Sequence, residues 1–500
     1  MNSLKRYFLR HPIRTRRALE ILPGSVSWFL ILFPLWGSLL IPEVVAVYII
    51  AFTVYWLYKS LSVAVFSLIG HFRLEASQKF DWMEDVAVFP DWEKIHHIVV
   101  IPTFKEPEGT LIKTLEALSS QTYPLKKIHI ILSFEEREGG AGKQKAKNLT
   151  SEFGKKFGTF HTTFHPDLAG EVKGKSSNSA WAAKAMVEPE LIKKGIVDVR
   201  YASITSHDAD ARLHPNYFAA LAYYFLDNPH RYRRFWQPAV MFYNNIWRVP
   251  APIRALATVW SVVHLYILCR RDRLVNFSTY STSLKLLKSV GYWDTDVIPE
   301  DYRIFFKTYF ATKGKVSVDP IYLSATMDAA QSSTFWKTML NQYEQVKRWA
   351  WGVADDQFVI RQAVLVDGIP LKDNILRILR LMEDHFLWPV NWFALTLGAL
   401  LPPLLNPTFS RTVIGKTLPQ VSSGILTISL VAILIVLFVD AKRRPKSPKK
   451  ISLMGKIIQP FELLLLPVVG FFFNALPGLD AHTRLMLGRY LEYRVTEKVE

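Results

Sequence analysis

Cysteine is almost missing from this chain: one residue in 500, Cys269. That excludes an intramolecular disulfide and fits a reducing compartment, with the lone thiol serving packing. Internal repeats and low-complexity tracts are absent as well, which sets aside a repeat architecture. No basic stripe interleaved with aromatics occurs, so nucleic acid is not an expected partner. Between residues 71 and 370 no run reads as long and apolar enough to cross a bilayer. The first apolar region is too long for a signal peptide, and no small-residue cleavage site follows it.

What is present points to a membrane. The length exceeds one ordinary domain. Apolar residues make up 50% and charged residues 21%, a mixture that suits spans attached to a water-exposed domain. The net charge of +18 is concentrated partly at residues 5–17 and 441–456. Both clusters flank apolar runs, as cytoplasmic loops do under the positive-inside rule. Residues 1–24 then read as a basic cytoplasmic N-terminus and 25–70 as a helical hairpin broken only at Pro42 and Glu43. Residues 71–370 form a cytoplasmic domain. Residues 371–440 supply an interfacial helix and two spans, with apolar runs at 386–405 and 421–439. Residues 441–500 hold a basic loop, an apolar run at 461–476 broken by Pro467 and Gly470, and a tail. That broken run is expected to be re-entrant or interfacial, which keeps the tail cytoplasmic.

Within residues 71–370 short β-rich runs (95–101, 128–133, 201–205) alternate with amphipathic stretches, the pattern of an α/β domain. Ligands of such sheets sit beyond the carboxyl ends of the strands. The first run ends in Ile101-Pro-Thr-Phe-Lys-Glu-Pro107, placing Thr103 and Glu106 there. The second ends in Phe134-Glu-Glu-Arg137. After the third comes Ser206-His-Asp-Ala-Asp-Ala-Arg-Leu-His214. Asp208 and Asp210 can aim oxygens at one hard cation, Mg²⁺ or Mn²⁺, which also holds substrate phosphates. His207 and His214 read as solvated or hydrogen-bonded. Pro299-Glu-Asp301 opens an amphipathic helix; its acids either complement the helix dipole or accept a proton from a sugar hydroxyl. In a helix from about Thr334, Gln345, Arg348 and Trp349 share one face. They either hold a diphosphate and a sugar ring or sit at the membrane interface as a snorkelling Arg and an interfacial Trp.

In that order these motifs resemble the processive family-2 glycosyltransferases, such as cellulose and hyaluronan synthases, over residues 96–351. The shared pattern is Pro-x-x-x-Glu, a carboxylate ending the second strand, Asp-x-Asp, a Glu-Asp pair and Gln-x-x-Arg-Trp between membrane helices. Gly174-Lys-Ser-Ser-Asn178 is similar to the family's lysine-bearing nucleotide-sugar segment. Tyr493-Arg-Val-Thr-Glu-Lys498 is similar to the gating loop of cellulose synthases. The chain departs from the pattern where Glu135 or Glu136 replaces the first aspartate, Lys105 replaces an asparagine, Ser278-Thr-Tyr-Ser281 replaces a Cys-Gly pair, and Val346 follows Gln345 in place of Gln or Arg.

The resemblance implies a GT-A-type nucleotide-sugar-binding catalytic domain inserted between N- and C-terminal transmembrane helices of a bacterial inner or plasma membrane. It implies an inverting transfer of a sugar from a nucleotide-sugar, UDP-linked by analogy, to a glycan or lipid-linked acceptor, with membrane lipid around the helices. Asp208 and Asp210 would hold Mg²⁺ or Mn²⁺, and Asp301, beside Glu300, would be the general base. Thr103, Glu106, Glu135, Lys175 and Asp208 would bind the nucleotide. Gln345, Arg348 and Trp349 would place the diphosphate and the acceptor. A non-processive enzyme acting on a membrane lipid and a non-catalytic glycan transporter or scaffold are the alternatives.

Overall fold

The structure, a computed structural model, describes residues 3–448, 454 and 459–492. The strands are β1 (His96–Thr103), β2 (Ile128–Glu135), β3 (Thr159–His165), β4 (Ala202–Ser206), β5 (Arg212–Leu213), β6 (Arg234–Met241), β7 (Tyr280–Ser283) and β8 (Ser317–Thr326). They form one mixed sheet in the order β3-β2-β1-β4-β7-β6-β8-β5. β1 lies between β2 and β4 and is parallel to both. Its residues 98–101 are fully buried, as a parallel strand covered on both faces requires. The α/β class expected from the sequence is the class observed.

Direction changes at β7, which runs antiparallel to β4 with Ser206 opposite Tyr280. The residues leaving β4 therefore lie beside those entering β7. One rim of the sheet thus collects the ends of β1, β2 and β4 with the start of β7. Crevices of this kind receive ligands in open α/β sheets.

Among the described residues five helical segments are long and apolar enough to cross a membrane: Pro12–Leu40, Pro42–Ser77, Ala251–Cys269, Val413–Arg443 and Phe461–Met486. The third corrects the expectation that nothing between residues 71 and 370 could span. Ala251–Cys269 joins the domain to the apolar helices: it packs on β6 and along Pro42–Ser77. The run at 386–405 is not one helix. Leu371–Leu397 ends ahead of a separate Leu401–Leu405, and the longer helix is charged over its first half by Lys372, Asp373, Arg377, Arg380, Glu383 and Asp384. It is not among the five.

Polar contacts tie the domain to these helices. The Tyr243 hydroxyl donates to Asp440 Oδ1 at 3.0 Å, and Arg444 pairs with the same carboxylate at 2.7 Å. Arg254 forks onto Glu462 at 2.7 and 2.5 Å, and Lys347 meets Asp480 at 3.2 Å. Glu462 and Asp480 stand toward opposite ends of the last apolar segment. The sequence expects that segment to be broken at Pro467 and Gly470, but it stays helical to Met486, changing pitch from 3₁₀ to α at Leu466 and widening to π over Phe471–Ala475. The gating-loop-like stretch 493–498 lies outside the described residues.

At Gly70 the Pro42–Ser77 helix touches Ala251–Cys269 directly: a Cβ there would lie 2.8 Å from the Leu265 carbonyl oxygen and 3.1 Å from its Cβ. Gly424, in the Val413–Ser429 helix, has open space at the same position. Gly70→Ala should therefore lower the thermal midpoint of the purified protein, with overpacking costing about 1–3 kcal/mol. Gly424→Ala should leave it unchanged or raise it, since alanine favours a helix by about 1 kcal/mol over glycine. Equal midpoints for the two variants would contradict this close approach.

Candidate active site

The rim is organised by a lysine. Gly174, at φ 142°, turns the chain into the Lys175–Ala182 helix, a conformation open only to glycine at low cost. The Lys175 ammonium then reaches three oxygens: Asp208 Oδ1 at 2.6 Å, Glu300 Oε1 at 2.8 Å and the Ser278 carbonyl at 2.6 Å. Asp208 arrives from the end of β4 and Glu300 from the first turn of the Glu300–Ala311 helix.

Ser278 holds the cluster from the other side. Its hydroxyl donates to Asp208 Oδ2 at 2.6 Å and its backbone N–H to Asp301 Oδ2 at 2.8 Å. The residue sits at φ 58°, in the left-handed region that serine occupies seldom. Such strain persists where the surroundings over-determine the conformation, and here two hydrogen bonds and the Lys175 contact do so. The neighbouring Thr279 accepts the Asp208 N–H at 3.0 Å, and Asn276 donates to the Asp301 carbonyl at 2.8 Å. The remaining Asp301 oxygen accepts the Tyr302 N–H at 2.8 Å. The helix-start reading of Asp301 is thus visible in its contacts, and each carboxylate oxygen retains a further lone pair.

Electrostatics follow from this crowding. Burial pushes the Glu300 carboxyl up to about 8, against the pull of Lys175. Burial also raises Asp301, opposed by Lys175 and by the two backbone N–H groups. Lys175 would be lowered by burial alone but is held well above its usual range by Asp208, Glu300 and Asp301. Three acids against one ammonium leave a negative excess. His207 does not offset it, since burial lowers that imidazole to about 4.

Around this centre the other expected residues take different positions. Thr103 ends β1, buried, with its hydroxyl lacking a hydrogen-bond partner among the described residues. Glu106 is buried beyond Lys105, and its carbonyl accepts Lys145 at 2.7 Å. Glu135 is buried at the end of β2 and Glu136 is exposed, so the rim carboxylate is Glu135. Glu135 pairs with Arg137, whose guanidinium lies 3.8 Å from the centre of the Phe104 ring. Asp210 is buried, and its Oδ2 accepts the Asp328 N–H at 3.1 Å.

The helix expected from about Thr334 is Phe335–Ala350, capped by the Thr334 hydroxyl. Trp349 stacks on Phe242 at 5.8 Å and meets Trp260 edge-on at 5.8 Å. Trp260 approaches His264 at 6.0 Å, and His264 packs on Phe277, next to Ser278, at 4.6 Å. A continuous aromatic wall therefore runs from the carboxylate cluster to the Ala251–Cys269 helix. Gln345 and Arg348, both partly buried, are placed beside Trp349 by helical register. The roles of Ser278, Asn276 and the Phe277–His264–Trp260 wall were not evident from the sequence; the signal was present in 278–281 only as a departure from a motif.

Among the described residues no group of three or more His, Cys, Asp or Glu side chains could by itself cage a metal ion. Asp208 and Asp210 nonetheless offer hard oxygens at a strand end with negative excess beside them. That donor set fits a cation whose other positions are filled by substrate phosphates and water.

Residues 203–439 match the model of the glycosyl transferase family group 2. This stretch, just under half of the chain, is similar to family-2 glycosyltransferases. It contains Asp208, Asp210, Ser278, Glu300, Asp301, Gln345, Arg348 and Trp349, whereas Thr103, Glu106, Glu135 and Lys175 precede it. The fold is an α/β domain built on one mixed sheet, between apolar N- and C-terminal helices. No curated protein matches the chain. Among solved structures it is similar to the mannosyltransferase PcManGT from Pyrobaculum calidifontis in complex with GDP-Man and Mn²⁺, at 16% identity, covering 77% of this chain and 98% of that one, with a TM-score of 0.39. It is also similar to S. aureus TarS 1–349 in complex with UDP-GlcNAc, at 14% identity, covering 80% and 93% of the two chains, with a TM-score of 0.36.

The Glu300 environment has a consequence for pH. Folded Glu300 keeps its proton to about pH 8, whereas the unfolded side chain releases it near 4.5. Its contribution to stability is therefore full below about 4.5 and is lost as the pH rises toward about 8. Glu300→Gln cannot titrate. Measured by thermal unfolding across that window, the variant should gain on the wild type as pH rises; a constant difference would contradict the raised carboxyl.

Proposed function

We propose that the protein transfers a sugar from a nucleotide-sugar, with inversion, to the hydroxyl of a glycan acceptor at the cytoplasmic face of a membrane. The observation that carries this reading is the meeting of Lys175, Asp208, Glu300 and Asp301 around Ser278, at the rim where α/β sheets bind nucleotides. The family match over residues 203–439 supports the reaction class. A nucleoside diphosphate donor agrees with the ligands of the two similar structures, GDP-Man and UDP-GlcNAc.

In this reading Asp301 takes the proton of the acceptor hydroxyl as that oxygen bonds to the anomeric carbon. The bond from that carbon to the diphosphate breaks, and the nucleoside diphosphate leaves with the electron pair. Asp208 and Asp210 would hold Mg²⁺ or Mn²⁺, which supplies charge compensation to the diphosphate when bound. Lys175 sits where it can turn from the carboxylates to the phosphates. Thr103, Glu106 and Glu135 line the nucleotide side. Gln345, Arg348 and Trp349 line the acceptor side, where the aromatic wall offers ring faces to sugars.

The wall leads toward the apolar helices, which favours a growing polysaccharide over a soluble sugar acceptor and a processive, synthase-like subtype. Both anchors of the last apolar segment, Glu462 and Asp480, meet residues of the catalytic domain. A re-entrant course, with the tail on the cytoplasmic side, is consistent with that.

The test is a paired measurement on Asp301→Asn. Transfer should fall by roughly 10²–10⁴-fold, because an amide cannot accept the proton. Affinity for the nucleotide-sugar should barely change, since the base faces the acceptor. Normal turnover, or an equal loss of binding and turnover, would move the base elsewhere.

A further inference from the structure

A second cavity lies away from the carboxylate cluster, where the N-terminal helix meets the domain. Its volume is about 310 Å³, at the small end of ligand pockets. Arg16, Arg303, Arg361, Gln357 and Gln362 line it, together with the Phe358 ring. These residues come from three elements: Pro12–Leu40, Glu300–Ala311 and Asp356–Leu365. No carboxylate is among the lining residues.

The three guanidiniums are not equally neutralised. Arg16 pairs with Glu20 at 2.8 Å, but that carboxylate also accepts from Arg17 at 3.2 Å and from the Tyr490 hydroxyl at 2.8 Å. Arg303 lies between Asp294 at 3.1 Å and Asp355 at 3.3 Å, and its guanidinium covers the Phe358 ring at 3.9 Å. Among the described residues Arg361 has no ion pair, and its buried Nε has no hydrogen-bond partner there. Two fixed arginines, one uncompensated arginine and two amides thus converge on a space of headgroup size. Planar guanidinium forks match phosphate oxygens two at a time.

We propose that this cavity binds a phosphate group, carried either by an anionic lipid headgroup or by a soluble phosphorylated molecule. Its position suits the first source: Arg16 belongs to the basic stretch 5–17 that precedes the first apolar run, and anionic leaflets attract such stretches. Occupancy would also reach the active site, because Arg303 stands two residues beyond Asp301 on the same helix. A phosphate here would fasten the N-terminal helix to the helix that carries Glu300 and Asp301.

The experiment uses the full-length protein purified in neutral detergent, with Arg361→Gln and Gln357→Glu as variants. Binding of dihexanoyl phosphatidic acid, dihexanoyl glycerol and inorganic phosphate is measured separately for each. One charged hydrogen bond lost in Arg361→Gln should weaken phosphate-bearing probes by about tenfold or more. The carboxylate introduced by Gln357→Glu should weaken them too, and that variant decides the matter if Arg361→Gln fails to elute as folded protein. Weakened phosphatidic acid with unaffected dihexanoyl glycerol supports the site and assigns it to lipid. Weakened inorganic phosphate supports it and assigns it to a soluble ligand. Affinities for both phosphate probes equal to wild type in the folded variants would overturn the proposal.

Discussion

Burying carboxylates beside one another is unfavourable, and in this fold Lys175 makes it possible. Its ammonium touches Asp208 and Glu300, and its charge acts on Asp301. Without that charge, three acids from two distant parts of the chain would repel across a few ångströms of low-dielectric interior. With it, the excess is small enough for Glu300 to carry it as a retained proton. The left-handed turn at Ser278 follows from the same constraint, because only there can one residue offer a hydroxyl to Asp208, an N–H to Asp301 and a carbonyl to Lys175.

The rest of the architecture delivers those groups. Parallel β1, β2 and β4 set one side of the rim, and antiparallel β7 brings the other side to meet it. The aromatic wall then hands the site on to Ala251–Cys269, which is packed against Pro42–Ser77 at the bare backbone of Gly70. Domain and apolar helices are therefore one packed system. The ties at Asp440, Glu462 and Asp480 stop sliding between them.

The strand ends were legible in the sequence because buried parallel strands are continuous apolar runs. The expected run 128–133 became Ile128–Glu135, and 201–205 became Ala202–Ser206. Thr334 was legible as a cap because its hydroxyl serves the backbone locally. The role of Ser278 was not, since it depends on a partner 70 residues away in sequence. Nothing local to 278–281 says that β7 runs antiparallel beside β4. Ala251–Cys269 was hidden for a related reason: about half of it is buried, against Pro42–Ser77 and β6, so it looks like a core helix as much as a span. The arginine cavity draws on residues 16, 303 and 361, a convergence that only the fold creates.

The claim at the centre is that Lys175 and the acids it joins form a site for sugar transfer. The direct measurement is label transfer from a panel of radiolabelled nucleotide-sugars by the purified full-length protein, wild type and Lys175→Met side by side, with the product sized. The account predicts that one nucleotide-sugar labels a glycan or lipid-linked product with wild type and that Lys175→Met transfers almost none. No transfer from any nucleotide-sugar, or undiminished transfer by Lys175→Met, would contradict it.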